Sequence, residues 1–187
     1  GSESRQYVNV TGMMFETYEV PRSETRQEIP FQGVFFRDVF LGKSEIHALT
    51  VDTGAASNWS GDKPLLRYLS WLQRNFGHED IPDVRRVESP SDFTGISSQP
   101  LDVREEWFLP GFLGYGLGML EYRTHVIKDS EVPPLFSGPT LRGNKILLDC
   151  GRDTAYLPHP RMPDCYVPVS LNFTGAHWQL PIDKVEQ

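Results

Sequence analysis

Two segments of this chain carry the same local pattern. Ala48-Leu49-Thr50-Val51-Asp52-Thr53-Gly54-Ala55 and Lys145-Ile146-Leu147-Leu148-Asp149-Cys150-Gly151-Arg152 each run an apolar stretch into an aspartate, then one residue, then glycine. An apolar run of this length closed by a glycine turn predicts a buried strand that ends at the aspartate. The glycine lets the backbone pass close to the carboxylate, where amide groups can hold it. The aspartates stand 97 residues apart. Taken singly, an aspartate before glycine at a strand end is also an ordinary turn residue. Two copies in order require a chain built from strands with tight ends.

The composition agrees. The 187 residues include 15 Pro and 16 Gly, which favours many short segments and turns over a helical bundle. One segment departs from this. Over 62–77, Leu65, Leu66, Leu69 and Leu72 recur at helical spacing, with Asp62 to cap the start, Pro64 in the first turn and Gly77 at the end. A single helix is predicted there, its apolar face turned to the core. Residues 1–30 are polar and read as an arm or an edge strand. The chain from Phe31 to Val51 reads as strand, turn at Gly42-Lys43-Ser44, and strand. Residues 78–106 are charged and rich in Pro and Ser, and read as a long loop. Val167, Val169, Leu171 and Phe173 alternate with polar neighbours, which predicts a half-buried strand with Asn172 on the solvent face.

Several function classes fall away. The formal net charge is −7 and the pI is near 5.2, so a nucleic-acid backbone or an anionic membrane is a poor partner. No apolar run of about 18 residues is present, so no transmembrane helix is predicted. His47, His78, His125, His159 and His177 show no metal-ligand spacing. The Gly-rich run Pro110–Gly118 lacks the Lys-Ser/Thr ending of a phosphate-binding loop. No cofactor is implied.

With the paired turns in view, the chain resembles the pepsin-like and retroviral aspartic proteases. The first copy carries the match most fully, as hydrophobic-hydrophobic-Asp-Thr-Gly-Ala at Val51–Ala55 and its approach. Phe31–Leu41, with Gly33 and Gly42, resembles the family's opening strands. Gly111-Phe112-Leu113-Gly114 resembles the hydrophobic-hydrophobic-Gly element that closes the active-site loop. Met162-Pro163-Asp164 through Leu180-Pro181 resembles the segment after the second catalytic turn. The resemblance implies a mainly β, compacted pepsin-like fold with one inserted helix. It divides the chain into an arm (1–30) and one pepsin-like domain (31–187), with a first lobe at about 31–128 and a shortened second lobe at about 129–187. It implies an atypical aspartic endopeptidase with Asp52 and Asp149 as the dyad, supported by Thr53, Gly54, Gly151, Arg152 and Tyr115, acting on a peptide.

The chemistry needs such a pair. Two carboxylates a few ångströms apart cannot both ionise cheaply, so they share one proton. The ionised one takes a proton from water, and the other donates to the scissile carbonyl oxygen. In the family, turn hydroxyls brace the lobes, a role open to Thr53, whereas Cys150 stands where the second hydroxyl belongs. Arg152 favours both carboxylates ionised. No clear flap with a Tyr-Gly pair lies between the first turn and Gly114: Phe93-Thr94-Gly95 is a degenerate candidate, and Tyr115-Gly116 is the other only if Gly111–Gly114 is not the loop-closing element. Two rival readings keep the scaffold: acid–base work on a small molecule, or an inactive binding protein. A sheet edge left by trimming makes a homodimer plausible.

The compartment reading is a secreted or secretory-lumen protein. Asn9, Asn58 and Asn172 sit in glycosylation sequons, three of the five asparagines, and the other reading is coincidence. The opening Gly1-Ser2 resembles an expression scar, so a signal peptide cannot be judged. A Cys150–Cys165 disulfide is expected and would contribute roughly 3 kcal/mol. The alternative is two separate thiols.

Overall fold

The computed structural model describes residues 14–16, 28–29, 46–76, 84–89 and 103–185. Asn9, the Phe31–Leu41 strands and the Phe93-Thr94-Gly95 flap candidate lie outside the described residues.

The fold is mainly β, as expected. Its largest sheet is built on a long hairpin, β6 (Val103–Phe112) against β7 (Met119–Ile127). On the far side of β6 lie β5 (Arg85–Glu88) and then β2 (Glu28–Ile29). On the far side of β7 run β1 (Met14–Glu16) and β4 (Trp59–Gly61), both parallel to it. Described pieces of the 1–30 arm therefore close both ends of the β1-β7-β6-β5-β2 order. The Gly-rich run supplies the last residues of β6 and then the hairpin turn. Gly114, Gly116 and Gly118 hold φ of +72°, +72° and +80°, a region where a Cβ is penalised.

Helix α1 (Asp62–Phe76) matches the predicted helix. Leu65, Tyr68, Leu69 and Leu72 are buried on one face. Its first residue works differently from a simple cap. The Asp62 carboxylate accepts from the backbone of Asp129 and Ser130, at 3.0 Å each, and pins the helix to the chain after β7. The Tyr68 hydroxyl donates to the Pro110 carbonyl at 2.5 Å, which fixes the helix on β6.

The second sheet holds the first aspartate. β3 (Ala48–Asp52) lies between β8 (Leu135–Ser137), which is parallel, and β13 (Trp178–Pro181), which is antiparallel. β12 (Asn172–Phe173) extends it beyond β13. α2 (Gly138–Gly143) follows β8 directly. The third sheet is β9 (Leu147–Asp149), β10 (Thr154–Pro158) and β11 (Tyr166–Ser170), joined antiparallel.

Within the expected 31–187 domain, β3, from the first lobe, is flanked on both sides by strands from 129–187. One hydrophobic core runs through Leu49, Leu69, Leu120, Phe136, Leu157 and Leu180. So few residues bury more apolar surface in one core than in two. The 78–106 stretch is not loop throughout, since it contains β5 and the start of β6. Arg85–Glu88 hides its strand because its one buried apolar residue, Val87, stands among charged ones: the Arg85 guanidinium lies 3.9 Å from the Phe108 ring centre, and Arg86 pairs with Glu105 at 3.5 Å. Finally, the alternation after β11 holds through buried Leu171 and then slips. Phe173 is exposed and stacks on Trp178 at 4.7 Å, while Asn172 is half-buried and bonds Gln179.

Candidate functional site

β3 delivers Asp52 to its C-terminal end, where the chain turns sharply. The Gly54 amide donates to Asp52 Oδ1 at 3.1 Å, and the Ala55 amide closes the turn on the Asp52 carbonyl at 3.2 Å. Thr53 and Gly54 are exposed and Asp52 is half-exposed, so the carboxylate stands at an open surface. The predicted geometry of a strand end with an amide-held carboxylate is present at this turn.

The floor beneath it is buried and polar. In the β3–β8 ladder Asp52 faces Ser137, and the next residue, Gly138, packs against the Thr53 carbonyl. A Cβ at 138 would fall 2.6 Å from that oxygen, too close for any side chain. Asn58, 0% exposed, ties this corner together. Its Oδ1 accepts from the Ser137 amide at 2.8 Å and the Thr140 hydroxyl at 3.1 Å. Its Nδ2 donates to the Arg123 carbonyl of β7 at 2.9 Å. Ser137 Oγ caps α2 by accepting from the Thr140 amide at 3.3 Å.

Asp149 ends β9 in a similar way but sits in the other sheet. Its Oδ1 accepts from the Arg152 amide at 3.1 Å, and its Oδ2 pairs with the Arg152 guanidinium at 3.0 Å. Gly151 lies inside the Cys150–Arg152 3-10 turn that Asp149 caps. Arg152 thus engages Asp149 itself. Among the described residues no hydrogen bond or ion pair links Asp52 with Asp149.

Other predicted positions separate from the Asp52 turn. Tyr115 sits at the tip of the β6–β7 hairpin with φ +55°, beside Ile46 and Lys184 in a cavity of about 290 Å3. Ile46 precedes β3 and Asp52 ends it, a run of roughly 20 Å along an extended strand. Tyr115 therefore does not roof Asp52. Gly111–Gly114 likewise closes β6 and bonds the C-terminal segment, Phe112 donating to the Ile182 carbonyl at 2.7 Å. The strand that lies against β3 with the hydrophobic-hydrophobic-x-Gly pattern is Leu135-Phe136-Ser137-Gly138. That pattern is visible in the sequence, but Gly111–Gly114 offered a competing match.

The cysteines are free and exposed, contrary to the expected bridge. Cys150 follows β9 at one end of the third sheet, and Cys165 precedes β11 at the other. The length of β10 between them is roughly 13 Å, beyond the Cα separation a disulfide tolerates. The Asn58 sequon is also corrected: its amide nitrogen is buried and bonded, leaving no path for a glycan. Among the described residues no three His, Cys, Asp or Glu side chains converge to hold a metal ion, and no helix is long and apolar enough to cross a membrane. No protein-family model matches the chain, and the search of curated proteins found no match.

Proposed function

We propose that the chain is an atypical aspartic-type endopeptidase in which Asp52 is the reacting carboxylate. The observation that carries this reading is the Asp52 turn: a carboxylate at a strand end, held by the Gly54 amide and backed by Gly138 on the Thr53 carbonyl. A single carboxylate cannot divide the two proton-transfer roles, so a second must meet it. The sequence offers Asp149, but its engagement by Arg152 in a separate sheet supports a structural part for it. The second carboxylate is then Asp52 of a second copy. An isologous two-fold contact through the exposed Thr53-Gly54 turn puts the same residue from both copies at one place. Two such carboxylates would share one proton and activate water against a peptide carbonyl.

The test is cleavage of a denatured protein mixture between about pH 3 and about pH 7, read with sedimentation of the same sample. Acid-side cleavage by a dimer, blocked by a statine-type transition-state mimic, is expected. A folded chain that cuts nothing over this range overturns the protease reading. The Asp149–Arg152 ion pair favours one alternative, in which Asp52 acts alone on a small molecule. Activity of a monomer would support that alternative.

A further inference from the structure

We infer that Asn58 is the positioning residue of the Asp52 turn. This inference rests on the reading of Asp52 as the reacting group. Asn58 does not reach the carboxylate. It acts through the corner at Ser137 and Gly138, which sets how deeply the Thr53 carbonyl can sit.

The argument is one of chemistry at a closed site. Asn58 is wholly buried, so every polar atom around it must find its partner inside the protein. Three groups from three elements converge on its side chain: two donors, the Ser137 amide and the Thr140 hydroxyl, and one acceptor, the Arg123 carbonyl. Only a side chain with an acceptor at one end and a donor at the other satisfies all three. The Asn58 carbonyl also accepts from the His125 amide at 3.0 Å, which fixes its own backbone on β7. The Ser137 amide is thereby held at a set distance from β7. Ser137 is the ladder partner of Asp52, and Gly138 has no slack against Thr53. A shift of the corner has to be passed to the Thr53 carbonyl, and from there to the Gly54 amide that holds the carboxylate.

Asn58→Asp gives a test with its own internal rescue. A protonated aspartic acid keeps both functions, its C=O accepting from Ser137 and Thr140 and its O–H donating to Arg123. Once ionised it is acceptor-only and faces the Arg123 carbonyl without a donor. The amide resonances of Thr53 and Gly54 in the full chain report the turn whether or not the protein cleaves peptides. At the same acid pH, the variant should give the wild-type positions for both. At neutral pH it should displace them, while Leu49 and Leu180 in the core stay put. Where cleavage is measurable, kcat should fall about tenfold or more at the higher pH with KM little changed. If N58D unfolds on ionising, Thr140→Val, which removes one of the two donors, takes its place and should displace the same two resonances. Wild-type Thr53 and Gly54 resonances in a folded, ionised N58D, or in folded Thr140→Val, would overturn the inference and leave Asn58 a purely structural residue. Absence of cleavage with the resonances displaced would sink the protease reading and leave this one standing.

Discussion

Gly138 lies against the carbonyl of Thr53 so closely that a Cβ would stand 2.6 Å from the oxygen. The contact joins β8 to the turn that carries Asp52, between residues 85 positions apart in sequence. Gly138→Ala must push backbone against backbone, so it should destabilise the protein by about 1–3 kcal/mol. Its effect on cleavage should exceed that of its stability loss, because the displaced atom belongs to the Asp52 turn. Gly61→Ala supplies the comparison. Its Cβ would press on the Ser130 carbonyl and not on the Asp52 turn. It should destabilise at least as much, while the folded fraction keeps its rate. Denaturant melts combined with rates per folded molecule separate the two.

Tyr68 gives a prediction in alkali. Burial, with a smaller push from Asp183, holds its hydroxyl protonated well above the usual tyrosine range. A raised value in the folded state means the unfolded chain loses this proton first. Stability from Tyr68 is therefore complete below about pH 10 and falls as pH climbs beyond it. Thermal melts from about pH 8 to about pH 11 should show that loss. Tyr68→Phe should be less stable near neutrality, because the Pro110 carbonyl loses its donor, and should show a flatter decline in alkali. An equal decline in both proteins would contradict the assignment.

The two thiols should behave as separate groups. Cys150 and Cys165 are both exposed, so a thiol reagent should titrate both in the folded, unreduced protein. Intact mass should be unchanged by reductant. A protein that titrates only after reduction would show that the third sheet is arranged differently.

Chain produced in a secretory host should carry no glycan at Asn58, since its Nδ2 is buried on Arg123. Peptide mapping reads this directly. Occupancy of that site in folded material would contradict the buried network.

How much of this was legible depended on the range of the interactions. α1 was legible because Leu65, Leu69 and Leu72 declare a helix within a few turns. β3 was legible because an apolar run ending at Asp52-Thr53-Gly54 admits few conformations. β5 was not, since Arg85 and Arg86 are held by Phe108 and Glu105 of another strand. The strand that lies against β3 was not legible for the same reason. Gly111–Gly114 and Leu135–Gly138 offer comparable local patterns, and only long-range pairing selects the second. Asn58 reads as a sequon one residue at a time. Its role as a bonded hub appears only when β7, β8 and α2 close around it.

The most direct measurement compares the native chain with Asp52→Asn and Asp149→Asn in cleavage of a denatured protein mixture at acid pH. The account predicts that Asp52→Asn abolishes cleavage, while Asp149→Asn, which loses only its tie to Arg152, stays within about tenfold of the native rate, the span of about 1.4 kcal/mol in a barrier. Equal loss in both variants, each shown to be folded, would restore a dyad within one chain and contradict the assignment of the second carboxylate to another copy.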